Sequence, residues 1–259
     1  KVVALDHYCN YILFIDENHD VYAYGDNQFG QLGLGEKVDI NELTLVPNLK
    51  NIKKISTYND SSLFLDEDGN MYGCGYNEFG QVGFGKDCCK IKDVFKLSLS
   101  NIKDFKFSTS SIFLDYDGYV YVCGFNNKGQ LKLRGDCVFA PTRIEYLANI
   151  REIFLGCEST FYLTYSNEVH AYGVNWHCEF GSRSDKSSHN SAIIKNIYFL
   201  LKSDNTSFFI DEQNKIFACG NNFHGQLGIT SQNRCHYEPS PVDIEVLINK
   251  HCNVKKALP

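Results

Sequence analysis

The stretch Met71–Gly85, MYGCGYNEFGQVGFG, joins a short apolar strand to a glycine-rich loop with the skeleton G-x-N-x-x-G-Q-x-G. The same skeleton stands at Val21–Gly35 (VYAYGDNQFGQLGLG), Val120–Gly135 (VYVCGFNNKGQLKLRG), Val169–Gly181 (VHAYGVNWHCEFG) and Ile216–Gly228 (IFACGNNFHGQLG). Its first glycine falls at Gly25, Gly75, Gly124, Gly173 and Gly220, at intervals of 50, 49, 49 and 47 residues. A near-constant period in this range marks an array of structural repeats, each burying its apolar face against its neighbours.

On either side of the loop, each repeat divides in the same way. A strand opening on Asn-Ile is followed by a polar gap, a second strand, an acidic turn and the glycine-marked third strand. In repeat two these are Asn51–Ile55, Ser62–Leu65, the turn Asp66-Glu67-Asp68-Gly69-Asn70, and Met71–Cys74. Period-2 alternation around an Asp-Gly turn is a hairpin signal. A fourth strand is expected after the loop, at Leu43–Val46, Arg143–Leu147 and Val242–Val246, the last two introduced by Pro141 and Pro241. Four short antiparallel strands in roughly 50 residues describe an all-β propeller blade. No long amphipathic helical pattern is present, which disfavours helical solenoids.

At 259 residues, 43% hydrophobic and 14% aromatic, the chain has enough apolar material for a large core. No apolar run approaches the ~20 residues of a membrane span, and no secretory signal opens the chain, so it reads as soluble with no membrane insertion. The net charge is −6 and only five residues are arginine, which argues against direct nucleic-acid binding. The cysteine count of 11 is odd, and three of them (Cys74, Cys123, Cys219) share the slot before the marker glycine, where the other repeats carry Tyr24 and Tyr172. That slot reads as a packed strand position in a reducing, intracellular setting, cytoplasmic or nuclear.

The pattern closely resembles the regulator of chromosome condensation repeat family, because G-x-N-x-x-G-Q-L-G is met in full in repeats one and five. Repeat two has Val82 for leucine, repeat three has Lys132 for the last glycine, and repeat four reads Cys178-Glu179-Phe180 where Gly-Gln-Leu is usual. The resemblance implies a β-propeller, most often of seven blades. Five repeats are visible, approximately 1–50, 51–100, 101–148, 149–195 and 196–252, and Asn253–Leu258 resembles the opening strand of a further one. A chain that also begins without methionine is expected to be a segment of a larger propeller; a five-bladed ring and an open arc are the alternatives.

The repeated glycines are not a phosphate cradle, since no Gly-Lys-Ser/Thr follows them. No C-x-x-C occurs, Cys88 and Cys89 are adjacent, and the Cys235-His236 and His251-Cys252 pairs match no zinc spacing. No nucleophile signature is present, so no catalytic residue, metal, cofactor or small-molecule ligand is expected. The interest lies in the two rims. Turns between second and third strands gather Asp16, Glu17, Asp20, Asp66, Glu67, Asp68, Asp115, Asp117, Glu168, Asp211 and Glu212, either as turn formers or as an acidic partner surface. The glycine loops on the opposite rim carry Phe29, Phe79, Lys128, Trp176, His177, Phe223 and His224, with Arg134, Arg183 and Arg234 just downstream. Aromatic residues and arginine are enriched at interface hot spots, so this rim is the expected protein-binding surface. The family resemblance further implies an interaction module, with exchange activity on a small Ran-like GTPase, or a regulatory domain within a larger ubiquitin ligase, as alternatives.

Overall fold

The computed structural model describes residues 1–86, 88–156, 158–181, 190–203, 205–229 and 233–242. Among these, twenty strands make five four-stranded antiparallel sheets, each with its strands side by side in chain order, and no helix occurs. The sheets occupy residues 2–45, 52–96, 102–143, 150–194 and 197–241. They stand as successive propeller blades, the first strand of blade one adjoining that of blade two, and so on through blade four.

Packing between blades explains which sequences form strands. The second strands of blades two to four (Ser61–Asp66, Ser110–Asp115, Ser159–Thr164) are buried at every residue, because a neighbouring blade covers each face. Blade one's equivalent, Tyr11–Asp16, instead alternates between buried and half-buried. Leu13, Val21 and Leu32 of blade one pack with Ile52, Ile55 and Phe64 of blade two. Phe161 and Phe180 of blade four meet Leu200 and Phe209 of blade five in the same way. Each such side chain contributes about 1.5–3 kcal/mol by leaving water. Among the described residues nothing covers the outward face of blade one in this way: Tyr24 is 47% exposed, whereas Cys74, Cys123 and Cys219 in the same slot are at 0%.

Left-handed residues punctuate the blades at matching places. The asparagine of each Asn-Ile opening (Asn51, Asn101, Asn149, Asn196) has φ of 53, 62, 58 and 64°, so it pivots the chain into the strand rather than joining it. The acidic turn closes through His19, Gly69, Gly118, Asn167 or Asn214, all at positive φ. Its first acid is a turn former: Asp66 and Asp115 are buried and accept the amides of Asn70 and Tyr119 at 2.7 Å, and Asp16 and Asp211 bond the same way. In blade four Thr164 Oγ1 takes this place, accepting the amide of Glu168.

The fourth strands start earlier than the sequence pattern indicates: they run Asp39–Leu45, Cys137–Arg143 and Cys235–Pro241. Of the expected Val242–Val246, only Val242 lies within the described residues. Pro141 and Pro241 sit inside these strands instead of introducing them. A fourth strand is an edge; Pro141 falls within the register shift between Val138 and Thr142, and Pro241 is the last residue of its strand, so the missing N–H breaks little pairing.

The marker glycine answers a steric demand. A Cβ on Gly75, at φ +99°, would lie 2.3 Å from the carbonyl oxygen of Asp60. A Cβ on Gly85, at φ +109°, would meet nothing within 4 Å. Gly85→Ala is therefore expected to cost about 1–3 kcal/mol from backbone strain alone. Gly75→Ala is expected to cost about 2 kcal/mol more, from overpacking against backbone that cannot yield. Urea unfolding of the two variants measures the gap; equal losses contradict the packing role.

Candidate partner-binding rim

The loop asparagines are brackets. Asn27, Asn77, Asn126, Asn175 and Asn222 are buried, and each Oδ1 accepts the amide five residues on. The bonds to Leu32, Val82, Leu131, Phe180 and Leu227 measure 2.8, 2.9, 2.8, 2.9 and 3.1 Å. Among the described residues, the amide nitrogen reaches on to carbonyls at the loop's end from Asn27 to Lys37 at 2.6 Å, Asn77 to Gly85 at 3.0 Å and Asn126 to Gly135 at 2.8 Å. The loop glutamines add a second bracket, Oε1 of Gln31, Gln81, Gln130 and Gln226 accepting the amides of Phe29, Phe79, Lys128 and His224. Glu179 does the same for His177. The variable side chains thus stand on backbone that is bonded from both sides.

The carbonyl of the same glutamine crosses to the next blade. Gln31 O accepts Ser62 Oγ at 2.7 Å and Cys74 Sγ at 3.4 Å; Gln81 O accepts Ser111 Oγ at 2.5 Å and Cys123 Sγ at 3.7 Å. Gln130 O accepts Thr160 Oγ1 at 2.6 Å, and Glu179 O accepts Cys219 Sγ at 3.3 Å. This is the physical meaning of the cysteine slot. Burial pushes the thiols of Cys74, Cys123 and Cys219 far above the ordinary range, so they stay protonated and donate.

Two departures from the repeat keep its backbone. Lys132 and Cys178 hold the left-handed conformation of the glycines they replace, at φ 55 and 67°. Glu179 departs in charge. It is 4% exposed, and desolvation by burial raises its pKa above the usual carboxylate value against the opposing pull of Lys202 and His177.

The rim residues fall into two groups. Phe29 is half-buried, edge-on to Tyr76 at 5.6 Å, with Lys90 Nζ 4.4 Å from its ring centre. Phe79 lies between Tyr76 at 6.3 Å and Phe125 at 5.2 Å, so both phenylalanines lean on the following blade. Trp176 is 48% exposed with Lys128 Nζ 5.2 Å from its ring, and Phe223 is 56% exposed with the Arg234 guanidinium at 4.8 Å. His224 is exposed against Phe223 at 5.0 Å, His177 is half-buried, and Arg134 is exposed. A cleft of about 190 Å³ opens beside Trp176, lined by Glu158, Val174, His177, Glu179 and Asn205. Arg183, His251 and Cys252 lie outside the described residues. Sequence reasoning missed Tyr76 and Phe125; both directly follow a marker glycine, which is the available signal.

The seams differ in redundancy. Thr160→Val removes the side-chain donor at Gln130 O and is expected to cost about 1–2 kcal/mol in denaturant unfolding. Ser62→Ala leaves Cys74 on Gln31 O and is expected to cost less. Glu179 has its folded pKa raised, so its contribution to stability is fullest below the unfolded glutamate pKa and is lost as pH rises through the folded value. Glu179→Gln is thus expected to stabilise the chain by about 1 kcal/mol at neutral pH, with the gain vanishing at acidic pH. A gain independent of pH contradicts this reading.

The regulator of chromosome condensation (RCC1) repeat model matches residues 18–65, 117–163 and 213–257, and a second model of that repeat matches residues 52–81. Comparison with curated proteins returns no significant match. Human WBSCR16 superposes with a TM-score of 0.74 at 20% identity, over 94% of this chain and 67% of its own. Prp20p from Saccharomyces cerevisiae, solved in a study of its binding to Gsp1p and histones, gives 0.73 at 21% identity, over 94% of this chain and 63% of its own. Yeast RCC1 (Prp20) in complex with Kap60 gives 0.73 at 20% identity, over 94% and 64%. The chain spans about two thirds of the length of these propellers. Repeat matches over more than half of its residues, on five blades that share this fold, place the chain in the regulator of chromosome condensation (RCC1) repeat family.

Proposed function

We propose that this chain is a protein-interaction module that binds a protein partner through its glycine-loop rim. One observation carries the reading: Trp176 and Phe223 are exposed large aromatics, each beneath a cation, on loops whose backbone is bracketed by buried asparagines. Rigid aromatic anchors and arginine are what partner surfaces use, and prior ordering lowers the entropy lost on binding. Lys128, His177, His224, Arg134 and Arg234 complete the surface, and Arg183, outside the described residues, is assigned to it from the sequence alone. Phe29 and Phe79 support it by packing on the following blade. The Prp20 structures described with Gsp1p, histones and Kap60 add support, since each is a complex or binding study with a protein.

Exchange on a small Ran-like GTPase is the finer alternative. It requires no catalytic side chain, only a surface that favours the nucleotide-free partner. A cross-linking pull-down from cell extract with this chain as bait tests the main reading. Trp176→Ala and Phe223→Ala are each expected to lower partner recovery about tenfold or more. Phe29→Ala is expected to lower thermal stability with recovery unchanged. Full recovery by the Trp176→Ala, Phe223→Ala double variant rules this rim out as the binding surface. Acceleration of labelled GDP release from a Ran-like GTPase moves the reading from binding module to exchange factor.

A further inference from the structure

The seam between blades four and five differs chemically from the others. At the first two seams a glycine lets the next blade's fourth strand approach: a Cβ on Gly30 or Gly80 would lie 2.5 Å from the Cα of Lys92 or Phe139. Blade four has Cys178 there, in the same left-handed conformation. Across the seam, the fourth strand of blade five opens on Cys235. The two Sγ atoms are 2.6 Å apart, and Cys235 Sγ also donates to His177 O at 3.0 Å. That separation is well inside nonbonded contact, about 3.5–4.0 Å even between carbon atoms. The third cysteine of the seam, Cys219, is fully buried and bonded to Glu179 O at 3.3 Å.

We propose that Cys178 and Cys235 form a peroxide-oxidisable pair that closes to a disulfide, stapling the Trp176 loop of blade four to the outer strand of blade five. Cys178 is 1% exposed, and burial together with the neighbouring Cys235 pushes its pKa up to about 12. Cys235 is half-buried and is therefore the sulfur that hydrogen peroxide reaches first. The Cys235 sulfur gives up its proton as it attacks one peroxide oxygen; the O–O bond breaks, leaving a sulfenic acid, and the departing hydroxide takes that proton to become water. Cys178 sulfur then attacks Cys235 sulfur, the S–O bond breaks, and hydroxide leaves with the Cys178 proton as a second water. Two thiols lose two electrons and one peroxide is reduced to two waters. The pairing rests on the seam geometry alone. Any effect on partner recovery rests also on the rim reading, so the two fail separately.

The test is peptide mapping of the full chain after brief treatment with stoichiometric hydrogen peroxide, with free thiols alkylated and the digest left unreduced. The expected product is a cross-linked peptide containing Cys178 and Cys235, lighter by two hydrogens and released by a thiol reductant, together with a melting temperature several degrees higher. Cys235→Ser and Cys178→Gly should each abolish the cross-link. The glycine restores the residue of the other repeats, so that variant is expected to keep the fold, checked by circular dichroism. Recovery of both cysteines as alkylated thiols, oxidation of Cys235 beyond the sulfenic acid without cross-linking, or linkage of either to another cysteine overturns the proposal.

Discussion

The contact on which this architecture depends is a backbone carbonyl that serves two blades at once. The loop residue at Gln31, Gln81, Gln130 or Glu179 uses its side chain to fix its own loop and its carbonyl to accept a hydroxyl or thiol from the following blade. Each bond contributes only about 1 kcal/mol net, but leaving that buried carbonyl unpaired costs more. Blade assembly and loop order are thereby one event. The apolar side chain that follows, Leu32, Val82, Leu131 or Phe180, is fully buried beside it, so the directional bond and the nonpolar burial act at the same point.

Where the repeat is altered, the backbone geometry survives and the chemistry changes. Lys132 and Cys178 accept strained left-handed conformations, at about 1–2 kcal/mol each for a side-chain-bearing residue. The alterations concentrate in repeat four, where glycine and glutamine become cysteine and glutamate. The seam it makes with blade five has a thiol donor in Cys219, while the equivalent hydroxyl of Ser207 is buried without a partner among the described residues. That seam lies directly beneath Trp176 and its cleft. The exposed Trp176 is therefore carried on the seam whose chemistry departs furthest from the repeat.

Much of this is legible in the sequence, for particular reasons. The period of Gly25, Gly75, Gly124, Gly173 and Gly220 is visible because each meets the same steric demand, and only glycine satisfies it. The cysteine slot is readable as packed, but not as a donor, because the acceptor lies in the preceding blade, about 40 residues away in sequence. Fourth-strand positions are misjudged at Pro141 and Pro241 because proline reads as a strand boundary, whereas an edge strand tolerates it. On the rim, residue type alone does not separate Phe29 and Phe79 from Trp176 and Phe223. What separates them is the presence of Tyr76 and Phe125 on the next blade, a long-range fact that no local pattern encodes. The acidic turns are half legible: their first aspartates act within the turn, while Glu67, Asp68 and Asp117 are exposed.

Loops without regular secondary structure are bonded here as tightly as strands, so the rim is ordered before any partner arrives. Native-state hydrogen–deuterium exchange reads this directly at the amides of Leu32, Val82, Leu131 and Phe180, each donated to a buried asparagine. The expected result is protection close to that of the buried second strands, lost only in the opening that separates blades. Rapid exchange at these amides, while the strands remain protected, would reveal loops that move on an intact propeller and would contradict a preordered rim.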